Sequence, residues 1–94
     1  MVNVNVMNGS RPMKVKNLKI IDHVGILYGT VDGSSFWEID KVAYGIMKMC
    51  NGEKTIDEIV RKVAEMANLN PEDVKSTILD IIKEMEKLKF IKYV

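Results

Sequence analysis

The 94-residue sequence is short of the residue types on which several functions depend. One cysteine cannot form a disulfide within the chain, and one cysteine and one histidine cannot supply the three or four ligands of a zinc site. Fourteen basic residues stand against 13 acidic ones, so net charge indicates neither a nucleic acid nor any other charged partner. No apolar run approaches the ~20 residues of a membrane span. These absences predict a cytoplasmic protein that spans no membrane and holds no metal or other cofactor.

The first 13 residues have a different pattern from the rest. Valine alternates with asparagine over residues 2–6, as in a strand, but asparagine is depleted in strands and the Asn8–Pro12 segment breaks regular structure. We therefore predict a flexible N-terminal arm over residues 1–13, with an ordered edge strand as the alternative. Residues 14–94 are then a single domain, which suits a chain of this length.

Three strand-like segments follow the arm. They are Lys16–Ile21, Val24–Val31 and Phe36–Ile39, each rich in β-branched or aromatic residues. Asp22-His23 separates the first two segments, and Asp32-Gly33 precedes the third. Because Asp and Gly tolerate positive φ, Asp-Gly between apolar runs favours a hairpin. The sequence thus predicts a three-stranded antiparallel meander.

The first predicted helix begins at Asp40, whose carboxylate can accept a hydrogen bond from a backbone N–H of the first turn. Val42, Ile46 and Met49 have the spacing of one buried face. Asn51-Gly52 ends the helix, since glycine readily adopts the left-handed conformation of a helix C-terminus.

Two more helices follow. Thr55 and Glu58 have the spacing of a capping box, which predicts a second helix over Ile56–Ala67. Asn70 as N-cap and Pro71 at the first helical position open the third. The predicted core row of the third helix is Val74, Ile78, Ile81, Met85 and Leu88, with Leu79 and Ile82 on a neighbouring face that must cover the sheet or a ligand. Four methionines, Met47, Met49, Met66 and Met85, are expected to fill the core.

A short extended segment over Phe90–Val94 is predicted to close the chain. The order of the elements predicts an α+β, winged-helix-like domain in which a three-stranded antiparallel sheet is followed by three α-helices.

Several residues that could carry chemistry have simpler structural interpretations. Cys50 lies at a helix C-terminus, where the dipole disfavours a thiolate, so we predict a small buried apolar residue rather than a nucleophile. His23 has no second catalytic or ligand residue nearby and is expected in a loop. Three glycines at intervals of four, from Gly25 to Gly33, lie along a hairpin and not in a phosphate-binding loop. Trp37 fits the core better than a binding surface.

The residues from Ile39 to Ile59, with the pattern IDxxAxxIxxMCNGxxTIxEI, resemble the PqqD family. Its members are peptide-recognition domains for enzymes that modify ribosomally made peptides. Asp40 and Asn51 depart from the family's usual residues, but both substitutions conserve the ability to cap a helix. The resemblance extends over roughly residues 16–93.

The resemblance implies a non-catalytic module that captures a precursor (leader) peptide and presents it to a radical S-adenosylmethionine enzyme. In this family the peptide adds as an extra strand along the third strand, against the third helix. The implied peptide-binding residues are Ser35, Phe36, Trp37, Glu38 and Ile39 on the strand, and Lys75, Leu79, Ile82, Lys83 and Glu86 on the helix. Leu79→Glu is then the substitution expected to weaken binding most cleanly. An open strand edge beside an apolar wall also suits peptide binding independently of the family.

A winged-helix DNA-binding regulator is the alternative function. The third helix would have to enter the major groove, and recognition helices contact bases mainly through their N-terminal residues. Here that end is Pro71-Glu72-Asp73, whose acidic residues would repel phosphates. We therefore expect no nucleic-acid partner. The protein is expected to be a monomer or a weak dimer, and a scaffold or dimerisation role is left open.

Overall fold

Two small antiparallel sheets and three helices form the computed structural model, which describes residues 9–94. The elements are β1 (Pro12–Lys14), β2 (Lys19–His23), β3 (Ile26–Thr30), β4 (Trp37–Ile39), α1 (Lys41–Met49), α2 (Ile56–Ala67), α3 (Pro71–Lys87) and β5 (Ile91–Tyr93). One sheet has the strand order β2-β3-β4, and the other pairs β1 with β5. The predicted α+β class, a three-stranded antiparallel sheet followed by three helices, is confirmed. Among the described helices, none is long and apolar enough to cross a membrane.

The two ends of the described chain pair with each other. Pro12 and Met13, which the sequence analysis assigned to the N-terminal arm, instead belong to β1, and Pro12 lies opposite Tyr93 of β5. Pro12 is buried. Proline is tolerated in an edge strand because one side of the strand has no partner strand, so no N–H donor is needed there. Residues 1–8 of the predicted arm lie outside the described residues. The extended segment predicted at the C-terminus is confirmed as β5.

The hairpin between β2 and β3 turns two residues later than predicted. Val24 and Gly25 both have positive φ, 54° and 83°, as a two-residue turn between twisted strands requires. The Asp22 carboxylate accepts a hydrogen bond from the Gly25 N–H at 3.0 Å, so Asp22 stabilises the turn from within β2. As a result, His23 is the last residue of β2 and is exposed rather than in a loop.

The three helices begin close to the residues predicted from the sequence. The Asp40 carboxylate accepts a hydrogen bond from the Ala43 N–H at 2.7 Å. In the capping box of α2, the Thr55 hydroxyl accepts from the Glu58 N–H at 3.1 Å, and the Glu58 carboxylate accepts from the Thr55 N–H at 2.8 Å. Asn70 precedes α3 as predicted, but its side chain makes no capping hydrogen bond. The first two helices therefore begin with a stabilising side chain that the third lacks.

Replacing Thr55 with alanine is expected to lower the free energy of unfolding by about 1 kcal/mol, because one N–H of the first turn loses its acceptor. Asn70→Ala is the matched control, and a cost below about 0.5 kcal/mol is expected because no capping bond is lost. Urea denaturation measures both values. Equal costs for the two variants would contradict the capping box.

The buried faces of the helices agree only in part with the predicted ones. Val42 is 62% exposed and Met66 is 66% exposed, so both expected core residues face solvent. α1 buries Ile46 as predicted, and α3 buries Ile78 of the predicted core row together with Ile82, which is 0% exposed. Met47 and Met85 are buried as predicted, and Met49 is half-buried. Residue spacing identified the apolar helices, but the direction of each buried face depends on its neighbours in space.

Gly29 in the middle of β3 brings the sheet close to the C-terminal end of the chain. A Cβ atom at this position would lie 2.7 Å from Ile39 Cδ1 and 3.0 Å from Phe90 Cε2. Phe90, which is 1% exposed, thus packs directly over the inner face of the sheet. A side chain at position 29 would overpack this contact.

Candidate functional site

β4 is an edge strand that lies beside a groove. In the sheet order β2-β3-β4, the described residues contain no strand on the side of β4 away from β3. Edge strands expose a row of N–H and C=O groups that can pair with another chain. β2 is the other edge of this sheet, but the groove against α3 borders only β4. The open strand that could receive a partner is therefore β4.

The groove between β4 and α3 has an apolar interior and an acidic rim. Its lining residues form a buried floor (Ile39, Met47, Met85 and Phe90), half-buried walls (Ala43, Ile81 and Leu88) and an exposed rim (Glu38, Asp40 and Glu84). Its volume is about 170 Å³. Sites for drug-sized ligands and cofactors usually measure about 300–1,000 Å³. This section of the groove is thus of a size for one or two side chains of a peptide.

A second depression continues the groove past Leu88, toward the start of β4. Ser35 and Trp37 form its strand side, and Lys87 and Lys89 form its helix side. Trp37 is 49% exposed, so it belongs to this surface and is not the core residue that the sequence analysis favoured. Together the two sections, which we call the β4–α3 groove, follow the strand from Asp40 back to Ser35.

The loop that precedes β4 is held by Asp32. Its carboxylate accepts hydrogen bonds from the Ser35 N–H at 2.8 Å and the Ser34 N–H at 2.9 Å. The predicted Asp32-Gly33 turn is present, with Gly33 at a φ of 78°, but it lies in a six-residue loop and not in a two-residue hairpin. The backbone hydrogen bonds from Ser35 and then Ser34 lower the pKa of Asp32 from 3.8 to about 2.

Because the pKa is depressed, the charged carboxylate stabilises the loop fully above about pH 4, and this stabilisation is lost as the pH falls through about 2. We expect the amide resonances of Ser34 and Ser35 to titrate with a midpoint near pH 2. Asp32→Asn is the control and should remove the titration. A midpoint at the ordinary value of 3.8 would mean that the two hydrogen bonds are not formed in solution.

A known protein family matches this part of the chain. The family model for coenzyme PQQ synthesis protein D (PqqD) matches residues 28–91, about two thirds of the sequence. The chain belongs to the PqqD family. The matched region includes β4, the three helices and therefore the whole β4–α3 groove. No curated protein and no solved structure matches the chain.

PqqD proteins are a non-catalytic accessory family of coenzyme PQQ synthesis, and membership implies a role in binding a peptide beside an enzyme. In this PqqD-family chain, four of the five strand residues singled out from the sequence line the groove: Ser35, Trp37, Glu38 and Ile39. Phe36 is 47% exposed but lines neither section.

The helix residues singled out from the sequence do not line the groove. Ile82 is buried in the core, and Lys75, Leu79 and Lys83 are absent from the lining. The Glu86 carboxylate accepts a hydrogen bond from the Tyr93 hydroxyl at 3.3 Å, so that flank of α3 faces β5. Burial, and then the Glu86 charge, raise the pKa of Tyr93, so the phenol stays protonated and keeps donating.

The PqqD-family chain presents the other flank of α3 to β4. Ile81, Glu84 and Leu88 lie there, and the sequence analysis missed all three as binding residues. The sequence analysis assigned Ile81 and Leu88 to the core row of the third helix. Their apolar character was therefore recognised, but their position in the groove was not. Side chains two positions apart on a helix point about 160° apart, so Ile81 and Leu79 cannot share one wall.

The remaining reactive side chains do not converge on the groove. Cys50 is fully buried as predicted, its Sγ donates to the Ile46 carbonyl oxygen at 3.4 Å, and burial raises its pKa to about 11. Within residues 9–94, no group of three His, Cys, Asp or Glu side chains is placed to hold a metal ion. The chemistry that the described groove offers is backbone pairing, apolar contact and surface charge.

Proposed function

We propose that this protein captures a precursor (leader) peptide by strand addition along β4 and presents it, in the cytoplasm, to a radical S-adenosylmethionine enzyme. The observation that carries the proposal is the position of the open edge of β4 directly beside an apolar groove on α3. Membership of the PqqD family supports it, because the family serves in a coenzyme's synthesis without catalysing it.

Strand addition uses the two parts of the groove differently. The free backbone groups of β4 pair with any extended peptide, whatever its sequence, and so contribute affinity. Side chains alternate along a strand, so every second peptide residue points toward Ile81, Met85 and Leu88. An apolar residue at these positions is selected by the groove, whereas the intervening residues remain in solvent.

The protein acts as a carrier and leaves the reaction to its partner. A short added strand buries little area, so we expect a dissociation constant of roughly micromolar order. This corresponds to a binding free energy of about −8 kcal/mol. An enzyme that binds both the carrier and the peptide makes the second contact intramolecular and raises the overall affinity. Weak capture also allows the modified peptide to leave.

Amide NMR tests the proposal. The labelled protein is titrated with a synthetic extended peptide that alternates apolar and polar residues, and with the leader segment of any short precursor whose gene is found beside its own. We expect shifts at residues 35–39 and along residues 81–88 of α3. Shifts confined to α2, with residues 35–39 unchanged, would reject this site. Co-purification of a precursor with a radical S-adenosylmethionine enzyme should increase when the carrier is present, which tests the delivery step separately.

A further inference from the structure

The β4–α3 groove carries charges of opposite sign at its two ends. Glu38 and Glu84 lie on the rim at the end where β4 leads into α1. Lys87 and Lys89 lie at the other end, where the chain enters β4. All four side chains are exposed, and on α3 the sign of the charge changes within one helical turn, from Glu84 to Lys87. The charge along the groove therefore has a direction relative to the strand.

In the described part of the chain, none of these four groups is held in an ion pair. Both ion pairs found there join neighbouring residues within α2, and none of the four makes a side-chain hydrogen bond. Two further carboxylates accept hydrogen bonds from backbone N–H groups, which do not cancel their charge: Asp40 adds to the acidic end, and Asp32 offsets part of the charge of the basic end. Lys41 follows Asp40 and lines only the depression on the hairpin side of β4, which Glu38 also borders. Two carboxylates and two ammonium groups are thus available to a ligand.

We propose that the groove selects a bipolar extended peptide, basic at its N-terminal end and acidic at its C-terminal end. This inference rests on the proposed function and specifies its substrate class. Antiparallel pairing is the more stable and the more common arrangement of strands. β4 runs from the basic end to the acidic end, so an antiparallel peptide starts beside Glu38 and Glu84 and finishes beside Lys87 and Lys89.

Two synthetic nine-residue peptides of identical composition test this inference. One has two lysines first, alternating threonine and valine in the middle, and two glutamates last, and the other exchanges the lysines and glutamates. Both are acetylated and amidated, so that terminal charges do not contribute. Trp37 is the one tryptophan of the chain and lies in the groove, so its fluorescence reports binding, and amide NMR locates the peptide.

We expect the lysine-first peptide to bind about tenfold more tightly at low salt, since exposed ion pairs contribute about 0.2–1 kcal/mol each. The preference should shrink at high salt and disappear in the double variant Glu84→Lys, Lys89→Glu, because each end of the groove then carries one charge of each sign. Equal affinity of both peptides, with shifts at residues 35–39, would overturn the charge inference and leave strand addition standing. A glutamate-first preference would overturn it as well. Binding of neither peptide at residues 35–39 would count against the proposed function itself.

Discussion

Replacing Ile81 with glutamate is expected to weaken binding of the leader peptide by at least about thirtyfold, which corresponds to about 2 kcal/mol. Ile81 is a half-buried wall residue of the β4–α3 groove, next to the buried floor residue Met85. A peptide side chain seated there would have to desolvate the new carboxylate without giving it a partner, which is costly. Calorimetric titration of wild type and variant measures the loss.

Leu79→Glu is the matched control for this prediction. Leu79 is also half-buried on α3, but it points away from the groove by about 160° relative to Ile81. The same apolar-to-acidic change there should leave the affinity within about twofold, although it can lower stability. If Leu79→Glu weakened the peptide more than Ile81→Glu, the binding flank of α3 would be the one that the sequence alone suggested.

Phe90→Ala is expected to lower the free energy of unfolding by about 3–5 kcal/mol. Phe90 is buried between the sheet and α3, and truncating a buried aromatic ring removes its transfer free energy and leaves a cavity. For a domain of this size the total stability is only about 5–15 kcal/mol. Urea denaturation should therefore show a midpoint far below that of the wild type, or no folded baseline at all.

Phe36→Ala is the control, because the chain has two phenylalanines and Phe36 is half-exposed in the loop before β4. Its cost should stay within about 0.5 kcal/mol. Phe90→Leu removes less volume and should keep a measurable transition if Phe90→Ala does not fold. Similar midpoints for the variants at positions 36 and 90 would show that Phe90 is not packed over Gly29.

The features predicted correctly from the sequence are the ones that depend on a few neighbouring residues. Asp40 and the Thr55–Glu58 pair cap helices through hydrogen bonds that span three positions, and Pro71 fits a first helical turn through its own fixed φ. The turn at Val24-Gly25 is local too, but its signal was obscured because valine rarely takes a positive φ.

The features that sequence reasoning missed depend on contacts between distant parts of the chain. α3 has apolar residues around about half of its circumference, so its pattern does not say which flank faces the sheet and which faces β5. Ile81 and Ile82 are 100° apart and equally apolar, yet one lines the groove and the other is core. β1 pairs with a strand at the opposite end of the sequence, which no local pattern indicates.

The pairing of β1 with β5 has a consequence for joining this domain to other proteins. The Val94 N–H donates to the Arg11 carbonyl oxygen at 2.9 Å, so the two ends of the described chain emerge side by side. They do so on the β5 flank of α3, which Tyr93 and Glu86 share, and the groove occupies the other flank. Both an insertion into a host polypeptide and a circular permutation therefore leave the groove accessible, because a domain with adjacent ends tolerates either change.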